Sequence, residues 1–151
     1  ENIVEEKQEE DYREAIFNKD CPKSDAFSGI VELIKRLKDK STFLAVVSSD
    51  LSLKLHSEIK EYSLENVFSE VVTNVDDKFE AVQAIVKNNN LNPHFTFFVG
   101  DSNHEIEVAK EIGIKSIAVT WGFVSEQRLR VKNPDYIVDS VKELWNVILS
   151  S

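Results

Sequence analysis

Residues 95–109 read Phe95-Thr-Phe-Phe-Val-Gly-Asp-Ser-Asn-His-Glu-Ile-Glu-Val-Ala109, and this stretch decides the fold class. An aromatic and β-branched run ends at Gly100, and polar residues then open a segment with helical apolar spacing up to Ile112. The run predicts a strand buried on both faces, and the spacing predicts a helix directly after it. A buried strand that leads straight into a helix is typical of a β-α-β unit with a parallel sheet.

The same alternation of short apolar runs and amphipathic segments occurs on both sides of this stretch. An amphipathic helix is predicted from Ser28, its N-cap, to about Leu37, and a buried strand follows at Thr42–Ser48. The remaining predicted elements are helices at Leu51–Tyr62, Lys78–Lys87 and Val141–Leu149 and strands at Ser69–Thr73, Ser116–Thr120 and Tyr136–Val138. The sequence therefore predicts an α/β fold: a three-layer, doubly wound parallel sheet with helices on both faces.

The amino-terminal segment differs from the rest of the chain. Residues 1–20 are polar and acidic with a thin apolar stripe, which predicts a helix whose partner lies elsewhere. We therefore expect two parts, a helical segment at 1–27 and an α/β core at 28–151. The sequence contains no methionine and begins with Glu1, so we expect a processed or truncated chain.

Composition limits the partners of the protein. The formal net charge is −9, with 18 Lys and Arg against 27 Asp and Glu, which argues against a nucleic-acid partner. Apolar runs such as Phe43–Val47 are too short for a bilayer, so no membrane partner is expected. The single cysteine, Cys21, fits a reducing compartment, and a cytoplasmic location is the expectation.

Candidate functional residues follow the predicted strands, because open α/β sheets bind ligands at the carboxyl ends of their strands. Ser48 and Ser49 offer hydroxyls to an anion, Lys78 offers a positive charge, and Asp101 and Glu105 offer carboxylates to a divalent cation. Each alone is commonly structural, as a turn hydroxyl, a solvated lysine or a helix cap. Their shared edge of the predicted sheet instead favours a site for phosphate and Mg²⁺.

The block from Phe97 to Ala109, with Gly113 and Ile117–Phe123, resembles the fourth motif of haloacid dehalogenase (HAD) superfamily phosphohydrolases. It is most similar to the phosphoglycolate phosphatase-like branch, and the resemblance spans roughly residues 26–149. The resemblance implies a HAD-like Rossmannoid core and assigns a role to each candidate. Ser48 would bind the transferring phosphoryl group, Lys78 would neutralise charge on it, and Asp101 would ligate Mg²⁺. Glu105 takes the second acidic position, where the family usually has aspartate.

One motif of the family does not occur in this sequence. Family members begin with a strand that ends in Asp-x-Asp, whose first aspartate attacks phosphorus and whose second acts as general acid and base. This sequence contains no Asp-x-Asp. We therefore expect a core that lacks its first, central strand and most of a helical cap, with residues 1–20 as the end of that cap.

Three interpretations follow from this resemblance. The chain is part of a Mg²⁺-dependent phosphomonoesterase that acts on a small phosphorylated metabolite through an aspartyl-phosphate, with the nucleophilic aspartate absent from this chain. Alternatively, it is a catalytically inactive HAD-fold module for binding or regulation. In the third interpretation another polypeptide or a second copy supplies the missing strand, since an incomplete sheet favours self-association.

Overall fold

The computed structural model describes residues 2–6, 23–122 and 124–150, and these residues alternate between strands and helices. The strands are β1 Asn2–Glu6, β2 Phe43–Val47, β3 Glu70–Val72, β4 Thr96–Gly100, β5 Lys115–Val119 and β6 Tyr136–Val138. The helices are α1 Lys23–Asp39, α2 Ser52–Glu61, α3 Lys78–Asn88, α4 Asn103–Ile112, α5 Glu126–Val131 and α6 Val141–Leu149, and one turn of 3₁₀ helix spans Pro93–Phe95.

The described strands form one parallel sheet in the order β3-β2-β1-β4-β5-β6. The chain runs outward from β1 to β3 on one side, then crosses to β4 and continues to β6 on the other. A sheet wound in two directions has a change of strand order at its centre, and the loops there diverge to leave a crevice. This confirms the predicted doubly wound α/β architecture.

Helices cover both faces of the sheet, so alternate residues of each strand enter different cores. In β2, Leu44 and Val46 pack with α1, α2 and α6, whereas Ala45 and Val47 pack with α3 and α4. Burial on both faces explains why β2 and β4 are near-continuous apolar runs rather than alternating ones. No helix within the described ranges combines the length and the apolar composition needed to cross a bilayer.

The central position of the sheet is occupied, contrary to the expectation of a missing central strand. Residues 2–6, which were expected to be helical, form β1 and pair with both β2 and β4. Strand pairing depends on neighbours that are distant in sequence, and the vacant edges of β2 and β4 need a partner for their backbone N–H and C=O groups. Residues 7–22, which hold the rest of the predicted cap helix and Cys21, lie outside the described residues.

Two further differences concern helices. The first core helix begins at Lys23 rather than at Ser28, so Ser28 lies inside α1 and is not its N-cap. Helix α5, at Glu126–Val131, was not predicted, because six mostly polar residues show little periodicity. Its buried Leu129 packs with Ile106 and Ala118 and holds α5 on the sheet edge near β6.

A pair of side chains ties the start of β6 to β5. The carboxylate of Asp135 accepts hydrogen bonds from the backbone N–H of Ser116, at 2.8 Å, and from its hydroxyl, at 3.3 Å. The Ser116 hydroxyl oxygen in turn accepts from the Asp135 backbone N–H at 2.9 Å. Because Ser116 is only 1 % exposed, removal of the carboxylate would take away the present partner of a buried N–H.

We expect Asp135→Ala to lower the free energy of unfolding by about 1–3 kcal/mol, the cost of an unsatisfied buried donor. Urea unfolding followed by circular dichroism measures the change. The control is Glu111→Ala, which removes an exposed acid from α4 and is expected to stay within about 0.5 kcal/mol of the wild type. Equal losses in the two variants would show that the Asp135–Ser116 pair does not anchor β6.

Candidate functional site

The residue after β2, Ser48, is fully buried and held by local hydrogen bonds. Its backbone N–H donates to the carbonyl of Val72 at 2.9 Å, and its hydroxyl oxygen accepts from the Asp50 N–H at 3.0 Å. A serine hydroxyl that accepts one hydrogen bond can still donate its own hydrogen. Ser49, the second predicted hydroxyl, is exposed at the same edge.

The loops after β2 and β3 are joined by backbone hydrogen bonds. The Val75 N–H donates to the Ser48 carbonyl at 3.1 Å, and the Asn74 N–H donates to the Asp50 carbonyl at 2.8 Å. Asn74 adopts φ 58°, a left-handed conformation that asparagine tolerates better than most residues. These bonds set the position of the segment that leads into α3.

Lys78 is the first residue of α3 and is only 6 % exposed. The preceding Asp77 caps the helix by accepting from the Phe79 N–H at 2.9 Å. A cation at the positive end of a helix is disfavoured by the dipole, and its burial adds a desolvation cost. This placement differs from that of a solvated surface lysine and is typical of a cation that faces a bound anion.

The two predicted carboxylates lie beyond β4, and both are buried. Asp101 directly follows β4, and Glu105 lies in the first turn of α4 with 2 % exposure. The Ser102 hydroxyl donates to Oε2 of Glu105, whereas Oε1 has no hydrogen-bond partner. Oδ1 of Asn103, in the same turn, is likewise buried without one. An orphaned carboxylate oxygen inside a protein is costly unless a ligand satisfies it.

Two glycines make room for these carboxylates. A Cβ at position 100 would lie 2.7 Å from Oε1 of Glu105 and 2.6 Å from its Cγ. A Cβ at position 122 would overlap Oδ2 of Asp101. Glutamate therefore fits where the family usually has aspartate because Gly100 leaves space for the longer side chain. The backbone of Gly122, in the Trp121-Gly122 loop, lies directly against Asp101.

Topology brings the candidate residues to one edge of the sheet. Ser48 and Lys78 lie on the side of β2 and β3, and Asp101 and Glu105 lie on the side of β4, with β1 between the two groups. Clusters of three or more His, Cys, Asp or Glu side chains suited to a metal do not occur among the described residues. Two buried carboxylates, of which Glu105 has one oxygen without a hydrogen-bond partner, still fit Mg²⁺. This ion usually keeps several waters and takes one or two protein carboxylates plus phosphate oxygens.

Other residues near this edge have different roles. Glu107 is exposed and pairs with Lys132 at 2.7 Å, and the hydrogen bond and charge of Lys132 lower the pKa of Glu107. It therefore lies outside the site. The contact between Ser102 and Glu105 was not predicted, because the Ser102 hydroxyl donates to the Glu105 carboxylate instead of capping the helix backbone.

Comparison with known proteins gives consistent matches to phosphatases and related hydrolases. Residues 2–119 match the family described as haloacid dehalogenase-like hydrolase. A phosphoglycolate phosphatase from Synechococcus elongatus is 28 % identical over 132 residues, which cover 85 % of this chain and 62 % of that protein. Pyrophosphatase PpaX from Oceanobacillus iheyensis is 23 % identical over 128 residues, covering 82 % and 60 %. The chain thus spans about three fifths of the length of these relatives.

A solved structure supports the fold. The haloacid dehalogenase-like family hydrolase from Streptococcus pneumoniae superimposes with a TM-score of 0.73 at 16 % identity, over 97 % of both chains. At this identity the likeness concerns the fold alone. The family match covers well over half of the sequence and includes β2, Lys78, Asp101 and Glu105. The chain therefore belongs to the haloacid dehalogenase-like hydrolase family.

Proposed function

We propose that this chain is the core of a Mg²⁺-dependent phosphomonoesterase that acts on a small phosphorylated metabolite. The observation that carries the proposal is a buried lysine and two buried carboxylates, Lys78, Asp101 and Glu105, at one edge of a parallel sheet. Charged groups are seldom buried, and a lysine and two carboxylates at one sheet edge are the groups that bind phosphate and a divalent cation. A phosphate carries the negative charge that Lys78 attracts, and a divalent cation carries the positive charge that the two carboxylates attract.

The residues on one side of β1 bind the phosphate, and those on the other side bind Mg²⁺. Ser48 donates its hydroxyl hydrogen to a phosphate oxygen, and Lys78 places a positive charge against the same group. Ser49, at the start of the loop, adds a hydroxyl and a backbone N–H. Asp101 and Glu105 would hold Mg²⁺, which supplies Lewis-acid polarisation of a phosphoryl oxygen when bound. Gly100 and Ser102 keep the Glu105 carboxylate facing that position.

Covalent catalysis needs a nucleophile in addition to this binding apparatus. In the proposed reaction a carboxylate oxygen attacks phosphorus, the bond to the leaving alkoxide breaks, and water then hydrolyses the aspartyl-phosphate. The 151 residues contain no Asp-x-Asp, and β1 ends in Glu5-Glu6. We propose that the nucleophilic aspartate belongs to a part of the enzyme that this sequence does not include.

The relatives support the substrate class. Their names refer to phosphoglycolate and to pyrophosphate, which are small and strongly anionic phosphorylated compounds. We infer a substrate of the same class for this chain. We also place the protein in the cytoplasm, in keeping with a single cysteine and the metabolic substrates of its relatives.

A second candidate is a HAD-fold module that binds a phosphorylated ligand without turning it over. The sequence favours it, because no Asp-x-Asp occurs in the 151 residues, those of β1 included. In this candidate the phosphate and Mg²⁺ ligands act as a sensor or docking site. A related candidate is a chain completed by another polypeptide or by self-association.

Phosphate binding is expected to depend on Lys78. Removal of a charge-assisted hydrogen bond costs about 1.5–3 kcal/mol, so Lys78→Ala is expected to weaken binding of inorganic phosphate roughly tenfold or more. Isothermal titration calorimetry measures the affinity, and Ser48→Ala is expected to weaken it in the same direction. The control is Lys87→Ala, an exposed lysine near the other end of α3. Unchanged phosphate affinity in Lys78→Ala would remove the basis of the proposed site.

Mg²⁺ is expected to stabilise the wild-type protein, because a ligand that binds only the folded state raises the midpoint of thermal unfolding. Glu105→Gln removes the negative charge at Oε1 and is expected to reduce this Mg²⁺-induced shift by at least half. Glu107→Gln, the matched control on the exposed face of the same helix, is expected to keep the full shift. If both variants respond to Mg²⁺ like the wild type, Glu105 has only a structural role.

The isolated chain is expected to show negligible Mg²⁺-dependent hydrolysis of p-nitrophenyl phosphate, because it has no Asp-x-Asp nucleophile. Release of p-nitrophenol at saturating Mg²⁺ is the measurement, with a complete family phosphatase as the positive control. Robust turnover that disappears in Asp101→Asn and in Lys78→Ala would mean that this chain carries its own nucleophile.

A further inference from the structure

Two exposed leucines stand at the amino-terminal end of α2. Leu53 is 89 % exposed, and Leu51, which directly precedes the helix, is 67 % exposed. Leu53 has the highest exposure of the large apolar residues in the described part of the chain. Single exposed apolar residues are normal, but two within three residues place apolar surface at one end of the helix. Leu51 and Leu53 are called the leucine pair below.

A groove with an apolar lining lies toward the carboxyl-terminal end of the same helix. Its volume is about 380 Å³, which is within the range of pockets that enclose small molecules. Ile59 and Leu64 are buried in its wall, Phe68 and Val71 are partly buried there, and the exposed Lys60 is one of its polar members. An apolar side chain that enters this groove leaves water and is stabilised by that transfer.

The leucine pair and the groove lie at opposite ends of one helix, which is the arrangement of a self-complementary surface. Leu53 and Lys60 are two helical turns apart, so they lie on the same face of α2. In a two-fold symmetric dimer, a patch on one copy meets the same patch on the other. When two copies of α2 pack antiparallel, the leucine pair of each copy faces the groove of the other.

The charges of α2 fit this antiparallel arrangement. Lys54 and Glu61 are exposed and also two turns apart, so they lie on one side of the helix. In the antiparallel pair, Lys54 of each copy lies beside Glu61 of the other, which places opposite charges together twice. Helix α2 holds two lysines and two glutamates, whereas the whole chain has a net charge of −9. Two copies of an acidic chain repel each other least where the local charge is balanced.

We propose that two copies of this chain associate through α2, with the leucine pair of each copy in the groove of the other. A second copy fits better than an unrelated protein, because one helix supplies the apolar projection, the receiving groove and both partners of the ion pairs. The contact involves one helix and one groove per copy, so we expect a reversible dimer rather than an obligate one. The proposal goes beyond the proposed function and uses none of its phosphate or Mg²⁺ ligands.

Sedimentation velocity over a wide range of protein concentration tests the association. A reducing agent is present, so that a disulfide through Cys21 cannot link two copies. The wild-type mass is expected to rise from monomer toward dimer with concentration. Leu53→Asp buries a charge at the contact and is expected to weaken the association at least tenfold. The matched control, Val131→Asp, makes the same kind of change at a residue that is 74 % exposed on α5 and is expected to associate like the wild type.

The results that contradict the proposal are clear. A wild-type chain that stays monomeric at every concentration would overturn it, and so would a dimer that Leu53→Asp does not weaken. Leu53 is exposed in the first turn of α2, where an acidic residue is favourable to the helix, so Leu53→Asp is expected to fold. Circular dichroism checks the fold of each variant.

A charge exchange tests the antiparallel orientation. Lys54→Glu places two glutamates side by side at each end of the contact and is expected to weaken the association at least threefold. Lys54→Glu combined with Glu61→Lys restores opposite charges and is expected to return the affinity to within twofold of the wild type. Lys87→Glu, an exposed position on α3, makes the same change in net charge and is expected to have no such effect. A double variant as weak as Lys54→Glu alone would contradict the antiparallel contact.

These measurements separate the dimer from the proposed function. They are made without Mg²⁺ and without phosphate, so a monomeric wild-type chain leaves the results for Lys78 and Glu105 untouched. Conversely, a failure of phosphate or Mg²⁺ to bind would not change the effect of Leu53→Asp on the association.

Discussion

The backbone ladder through the middle of the sheet is the constraint on which the rest of the structure depends. Strands β2 and β4 do not pair with each other but are joined through β1, and the two halves of the domain are wound outward from that junction. The register of this ladder fixes how the end of β2, with Ser48, lies relative to the end of β4, with Asp101. It therefore sets the separation between the Ser48 hydroxyl and the carboxylates of Asp101 and Glu105. Helices on both faces then exclude water from this ladder and raise the cost of leaving any of its polar groups unpaired.

The candidate site is arranged as two halves with opposite charge on either side of that ladder. Lys78 sits at the positive end of a helix, where it adds to positive potential, and Glu105 sits in the first turn of another helix with one oxygen unsatisfied. The orphaned oxygen of Glu105 would gain a partner from a bound cation. A buried cation on one side and buried carboxylates on the other match a ligand that carries both signs of charge, which is the physical reason to regard the two halves as one site.

Much of the fold could be predicted because β2, β4 and β5 are short apolar runs, which are typical of buried strands. The acids after β4 could be predicted as site residues because they directly follow such a run. The identity of the central strand could not be predicted. Asn2–Glu6 shows no apolar alternation, and its place results from pairing with strands about 40 and 95 residues further along the sequence. Likewise, the fit of Glu105 could not be anticipated, because it depends on the space at Gly100 after the strand and helix have packed. Helix α5 was missed because a single buried leucine gives no period.

The hydrogen bonds between the loops after β2 and β3 have a consequence for how this protein can diverge. Because Val75 and Asn74 are bonded to Ser48 and Asp50, the number of residues between β3 and α3 is matched to the length of the β2 loop. An insertion in either loop would break this match and shift the hydroxyl relative to the lysine. Changes in ligand preference over evolutionary time are therefore expected to come from segments outside this pair of loops, while the pair itself keeps its length.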